Sequence, residues 1–152
     1  MKARLNPYNY AATMKPMFAM EETVVKSGLE HSLIELVKMR ASQINGCAYC
    51  IDMHSKDAIK SGETVQRLVL LDAWQESPLY SDRERAALAW TEVLTLVAET
   101  HVPDSDFETL KQHFTEEEIV KLTMLIVTIN SWNRISIGFR AIHPVEKASA
   151  AA

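Results

Sequence analysis

The sequence predicts an all-α fold, a single helical bundle of about six to seven helices, and three observations predict it. Only four glycines and five prolines occur in 152 residues, and those present fall at segment ends, where helices are punctuated. Apolar residues recur at helical spacing through most of the chain. Two Ser/Thr-x-x-Glu pairs, Ser81 with Glu84 and Thr115 with Glu118, have the capping-box spacing that opens a helix.

The first segment runs from about Pro7 to Lys26, with Met14, Met17, Phe18 and Met20 as its apolar stripe and Gly28 closing it. The second, about Glu30 to Ile44, buries Leu33, Ile34, Leu36, Val37 and Ile44, and Asn45-Gly46 ends it. The third is short, about Cys47 to Lys60, stopped by Gly62. The fourth runs from about Thr64 to Trp74 and ends before Pro78. A fifth opens at the Ser81 box and carries Trp90, Val93, Leu94 and Val97. Pro103 suits the first turn of a sixth, to about His113. The Thr115 box then opens the apolar stretch Ile119 to Ile129. Its β-branched residues fit a strand, but the cap and the length predict a helix, buried centrally or against another subunit. Trp132, Asn133 and Arg134 interrupt that run and read as a helix end or subunit contact, or else as residues near an active site. Residues 1–145 read as one domain and 146–152 as a frayed tail.

Composition narrows the class. Hydrophobic residues at 47% and charged residues at 24% exclude a disordered or fibrous chain. A net charge of −4, with Lys and Arg scattered, argues against nucleic acid or an anionic membrane as partner. No window supplies the run of about 20 apolar residues that spans a bilayer, and Met1–Tyr10 lacks the apolar core of a signal peptide. A cytoplasmic location is expected. In that reducing compartment a close Cys pair points to redox chemistry or metal binding.

Cys47, Ala48, Tyr49 and Cys50 form that pair, C-x-x-C, with His54 four residues beyond. On a helix, positions 47, 50 and 54 share one face. A thiol in the first turn of a helix meets unpaired N–H groups and the positive end of the helix dipole, which favour thiolate. A neighbouring imidazole takes the proton or pairs with the thiolate. The thiolate is the nucleophile in disulfide exchange and peroxide reduction, and a sulfenic acid formed on one sulfur condenses with the other to a disulfide. Two alternatives stand beside this reading. The cysteines are small core hydrophobes, or Cys47, Cys50 and His54 hold zinc with His31 or His143 as a fourth ligand. A thioredoxin-type assignment fails for want of a βαβ pattern.

The segment ELVKMRASQINGCAYCIDMH, Glu35 through His54, resembles the alkylhydroperoxidase D-like, carboxymuconolactone decarboxylase-like family. It carries that family's glutamate, C-x-x-C and histidine, and the SGETVQRL and WNRISIGFR stretches agree. The resemblance covers roughly residues 10 to 145. It implies an orthogonal helical bundle that forms homotrimers or homohexamers, and hydroperoxide reduction by two thiols without a metal or organic cofactor. An unidentified protein or small thiol would be the reductant. It also implies Cys50 as the peroxidatic thiol, Cys47 as the resolving thiol, and Glu35 with His54 as a proton relay buried beside them. The residues themselves favour Cys50 only through its i, i+4 relation to His54, and the opposite assignment stays open. Members acting as decarboxylases lack the pair. The rivals are a redox-sensing or zinc-binding module on this fold, and a decarboxylase-like enzyme whose activity would survive loss of both cysteines. Tyr49 reads as a pocket wall, and His101 and His113 as surface residues.

Overall fold

A computed structural model of the protein describes residues 1–145, and among these every regular element is helical. A 3₁₀ turn, Pro7–Asn9, leads into α1 (Ala11–Val25). Then follow α2 (His31–Asn45), α3 (Ala48–Lys60) and α4 (Val65–Leu70), which runs on into a 3₁₀ turn, Leu71–Glu76. The chain closes with α5 (Asp82–Thr95), α6 (Val97–Thr100), α7 (Asp104–Lys111) and α8 (Glu116–Phe139). Eight α-helices stand against the six or seven expected, because the turn after α5 adds the four-residue α6. The tail 146–152 lies outside the described residues.

Both capping boxes form. Ser81 Oγ accepts from Glu84 N while the Glu84 carboxylate accepts from Ser81 N at 2.8 Å, and Thr115 and Glu118 repeat the arrangement. Each box satisfies two N–H groups that a helix start leaves unpaired. Arg83 then ties the two starts together, reaching Glu30 at 3.0 Å and Glu118 at 2.6 Å with its guanidinium over the Phe114 ring.

Helix α2 is the centre of the bundle and packs against α3, α5 and α8. Its Leu33, Ile34 and Val37 join Trp90 of α5 and Leu122 and Leu125 of α8 in the main core. Leu36 and Met39 join Leu68, Leu71 and Leu88 in a second cluster. Every residue from Leu33 to Met39 is buried, so α2 has no solvent face in its middle. That arrangement forces the charged residues of this stretch to find partners inside the protein.

Within one chain helix α8 is buried on one side only: Leu122, Leu125 and Ile129 are inside, whereas Val120, Met124 and Val127 are exposed, so of the two expected placements the central one is excluded. It departs from the sequence reading at its C-terminal part, where it runs unbroken through Trp132, Asn133 and Arg134 to Phe139, so these three sit inside the helix and not at its end. Among the described residues no helix is long and apolar enough to cross a membrane.

Candidate active site

The α2–α3 link is two residues long. Gly46 takes the left-handed conformation at φ 68°, which caps α2 and which a side chain adopts only at a cost. Cys47 follows at once as the N-cap of α3, its backbone N–H bonded to Ser42 O at 3.0 Å. Its Sγ accepts from the Cys50 N–H at 3.4 Å, so this sulfur sits among the free N–H groups of a helix start. Cys47 and Cys50 are joined in a disulfide with Cα atoms 5.3 Å apart.

A buried polar network braces this link. Asn45, the last residue of α2, donates to Asn130 Oδ1 and Asn133 Oδ1 of α8, each at 2.9 Å. Asn133 in turn donates to Ser42 Oγ at 3.0 Å, and Arg134 holds Asn130 Oδ1 at 2.9 Å. Ser42 and Asn133 are wholly buried, so the brace works away from competing water.

Both cysteines are buried, but of the two only Cys50 lines a cavity of about 380 Å³. One turn further along α3, His54 Nδ1 stands 3.1 Å from Glu35 Oε2 of α2, and both side chains are more than nine-tenths buried. With Nδ1 protonated, the ring donates to the carboxylate. Cys50, His54 and Glu35 therefore share one wall of the cavity. Cys47 stands behind it.

Much of the remaining lining is aromatic. Tyr8 stacks on Phe18, and Phe18 meets Trp132 with centroids 5.7 Å apart, while Tyr49 and Met53 complete it from α3. Tyr49 thus lines the cavity as expected from its place between the cysteines. Burial pushes the Tyr8 phenol above its ordinary pKa, and the nearby Tyr49 phenol adds in the same direction. Tyr8 stays neutral and behaves as cavity wall.

Three residues of the site escaped the sequence reading or were misplaced by it. Lys38, almost wholly buried, lines the cavity one turn along α2 from Glu35 and pairs with Glu21 Oε1 at 2.5 Å. Glu21 Oε2 accepts from Trp132 Nε1 at 3.0 Å, so Trp132 belongs to the cavity. A lysine inside the inward stripe of α2 was the available signal. Its partner, 17 positions away on another helix, left no local trace.

The zinc set does not assemble: among the described residues no three His, Cys, Asp or Glu side chains gather as metal ligands would. Of the candidate fourth ligands, His31 is exposed and His143 bonds to Pro144 O. His101 is exposed as expected, and His113 is half-buried.

Comparison with known proteins sets this geometry among relatives. The model of the carboxymuconolactone decarboxylase family matches residues 11–93, which takes in the whole Glu35–Cys47–Cys50–His54 constellation. The uncharacterized protein YdfG of Bacillus subtilis is 46% identical over 138 residues, covering 90% of this chain and 94% of its own length. A crystal structure from Agrobacterium tumefaciens is 50% identical with a TM-score of 0.93, covering 95% of this chain and 100% of its own. That protein, of unknown function, has been put forward as the antioxidant defence protein AhpD. The debrominase Bmp8 shares the fold at 18% identity, with a TM-score of 0.78 over 90% of this chain and 73% of its own.

Proposed function

This chain belongs to the carboxymuconolactone decarboxylase family, and from that premise we propose that it is a dithiol peroxidase that reduces organic hydroperoxides. One observation carries the reading. A bonded Cys47–Cys50 pair presents a single sulfur, Cys50, to a cavity with an aromatic lining that also holds a buried His54–Glu35 couple. A pair kept only for stability needs neither the cavity nor the couple.

The chemistry follows in balanced steps. The reduced Cys50 gives its proton to His54, whose charge Glu35 stabilises. The thiolate attacks the terminal oxygen of the hydroperoxide, forming an S–O bond and breaking the O–O bond. Cys50 becomes a sulfenic acid, and the leaving alkoxide takes the proton from His54 to depart as alcohol. Cys47, favoured as thiolate at the start of α3, then attacks the Cys50 sulfur. Hydroxide leaves as water with the proton Cys47 lost, and the disulfide is restored. A reducing thiol enters by the cavity and attacks Cys50, so that the helix-stabilised Cys47 leaves as thiolate; a second reducing thiol then attacks the mixed disulfide, frees Cys50 and departs as the reductant's own disulfide. The about 380 Å³ cavity with its aromatic row fits an organic group better than hydrogen peroxide alone.

Free thiols and intact mass, measured on the reduced protein before and after one equivalent of cumene hydroperoxide, test the reading. The expected result is loss of both thiols with a mass decrease of about two hydrogens, as peroxide oxidation of a close pair gives. Cys47→Ser should stop at the sulfenic acid, and Cys50→Ser should consume no peroxide. Two thiols left intact in the wild type would overturn the proposal.

A further inference from the structure

One buried charge takes no part in the steps above. Lys38 is 3% exposed, yet it lines the cavity that holds Cys50. Its position is set by the same two helices as the thiol. Glu35 and His54 hold α2 and α3 together. Lys38 lies one turn from Glu35 toward the α2–α3 link, and Cys50 lies one turn from His54 toward that same link. Lys38 and Cys50 therefore approach the cavity at the same end.

Its bonding is incomplete in a telling way. An ammonium carries three N–H donors, and among the described residues Lys38 has one acceptor, Glu21 Oε1 at 2.5 Å. Glu21 has no freedom to wrap around it, because its second oxygen accepts from Trp132 Nε1 at 3.0 Å. Nor is Lys38 the partner of Glu35, whose Oε2 meets His54 Nδ1 at 3.1 Å. A buried ion pair seldom adds stability over apolar residues of similar volume, and Phe18, Val25 and Trp132 line the same cavity. The pair thus sets a buried, fixed cation, with donors to spare, beside the cavity in which a negative charge develops during the reaction.

We propose that Lys38 is a catalytic residue of the hydroperoxide step, its ammonium donating hydrogen bonds to the leaving alkoxide oxygen while Glu21 and Trp132 hold it in place. This rests on the peroxidase reading. As the Cys50 thiolate forms the S–O bond and the O–O bond breaks, the electron pair of that bond goes to the alkoxide oxygen. Lys38 stabilises that charge until His54 returns the proton, and Lys38 itself loses none. Donors fixed beforehand at the site of developing charge, on a side chain as buried as Lys38, are worth more than donors that open water must reorganise to supply.

The test is leaving-group dependence in single-turnover oxidation of the pre-reduced Cys47→Ser protein. Two substrates bracket the range: tert-butyl hydroperoxide, which expels a strongly basic alkoxide, and a peracid, which expels a stable carboxylate. Lys38→Met should slow the first roughly 10²-fold, the loss expected for one oxyanion donor, and the second far less. Lys38→Arg should recover most of the rate with tert-butyl hydroperoxide. Equal slowing with both substrates, or an arginine variant as slow as the methionine one, would make Lys38 a brace and overturn the inference. If Lys38→Met strands Glu21 and fails to fold, the double variant with Glu21→Gln removes both charges, and the same comparison decides. A protein with full Lys38 that oxidises with neither substrate would fail as a peroxidase and take this inference with it. Wild-type turnover with an unchanged substrate ratio in the variant would remove the role of Lys38 alone.

Discussion

Two adjacent faces of α2 are buried to the same degree and do opposite things. Leu33, Ile34 and Val37 pack into the main core with α5 and α8. Glu35, Lys38 and Ser42, at i, i+3 and i+7, turn toward α1, α3 and α8 and carry polar atoms into the interior. The apolar face gains from burial roughly in proportion to area. The polar face loses hydration at every group and regains it one partner at a time: Glu35 from His54, Lys38 from Glu21, Ser42 from Asn133. Among the described residues no buried side-chain nitrogen or oxygen lacks a partner. The difference teaches that one helix can divide the labour, with stability on one face and chemistry on the other, provided each polar group is met individually.

Exchanging the faces in experiment should separate the two properties. Leu125→Ala opens a hole in the main core, where Leu125 is wholly buried. It should cost about 2–5 kcal/mol of stability, read from a urea midpoint, while the oxidation rate per folded molecule stays within a few-fold of wild type. A comparable loss of rate in folded protein would show that the core face also tunes the site. His54→Ala should do the reverse. It should slow oxidation of Cys50 by hydroperoxide roughly 10²-fold, as loss of a general base does. The unpaired Glu35 it leaves behind gains access to cavity water, so the fold should survive. An unchanged rate would remove His54 from the mechanism.

How much of this was legible follows the same division. The helix starts at Ser81 and Thr115 could be read because a capping box is four residues long and satisfies itself. The Cys47, Cys50 and His54 constellation could be read because its spacing lies within one short helix. Glu35 needed the family resemblance, since nothing local separates a buried glutamate from a solvated one. Lys38 and Glu21 were beyond reach, and a place near the active site was only one of the alternatives for Trp132: their contacts span 17 and 111 positions, and packing alone brings them together. Asn133 and Arg134 misled for a related reason. Polar residues after an apolar run look like an ending, but here Asn45 and Ser42 of α2 supply partners for Asn133, and Arg134 bonds back to Asn130 one turn earlier. The helix continues because its polar atoms are satisfied, for Asn133 by chain that lies far away in sequence.

A third way of holding charge, at the surface, completes the comparison and gives its smallest expected effect. Glu118 has its pKa lowered from 4.5 to about 2, first by its hydrogen bond with Arg83 and next by the Thr115 N–H. A folded-state value below the unfolded one means that its contribution is present above about pH 4.5. That contribution is lost as pH falls from there toward about 2. Glu118→Gln keeps an acceptor for the Thr115 N–H but removes the charge that faces Arg83. With a side chain 31% exposed, screening limits the loss to about 1 kcal/mol or less near pH 7. Urea midpoints at pH 7, 4 and 2.5 should therefore show the variant below wild type at neutral pH and the two converging in acid. Wild type would still lose stability there, because Glu30 and Glu84 are also lowered, Glu30 by Arg83 and Glu84 by Arg67 against its own burial. A gap that persists at pH 2.5 would assign the loss to the geometry of the cap. In that case surface charge would contribute little here, and the partnered charges inside the cavity would be the ones that matter.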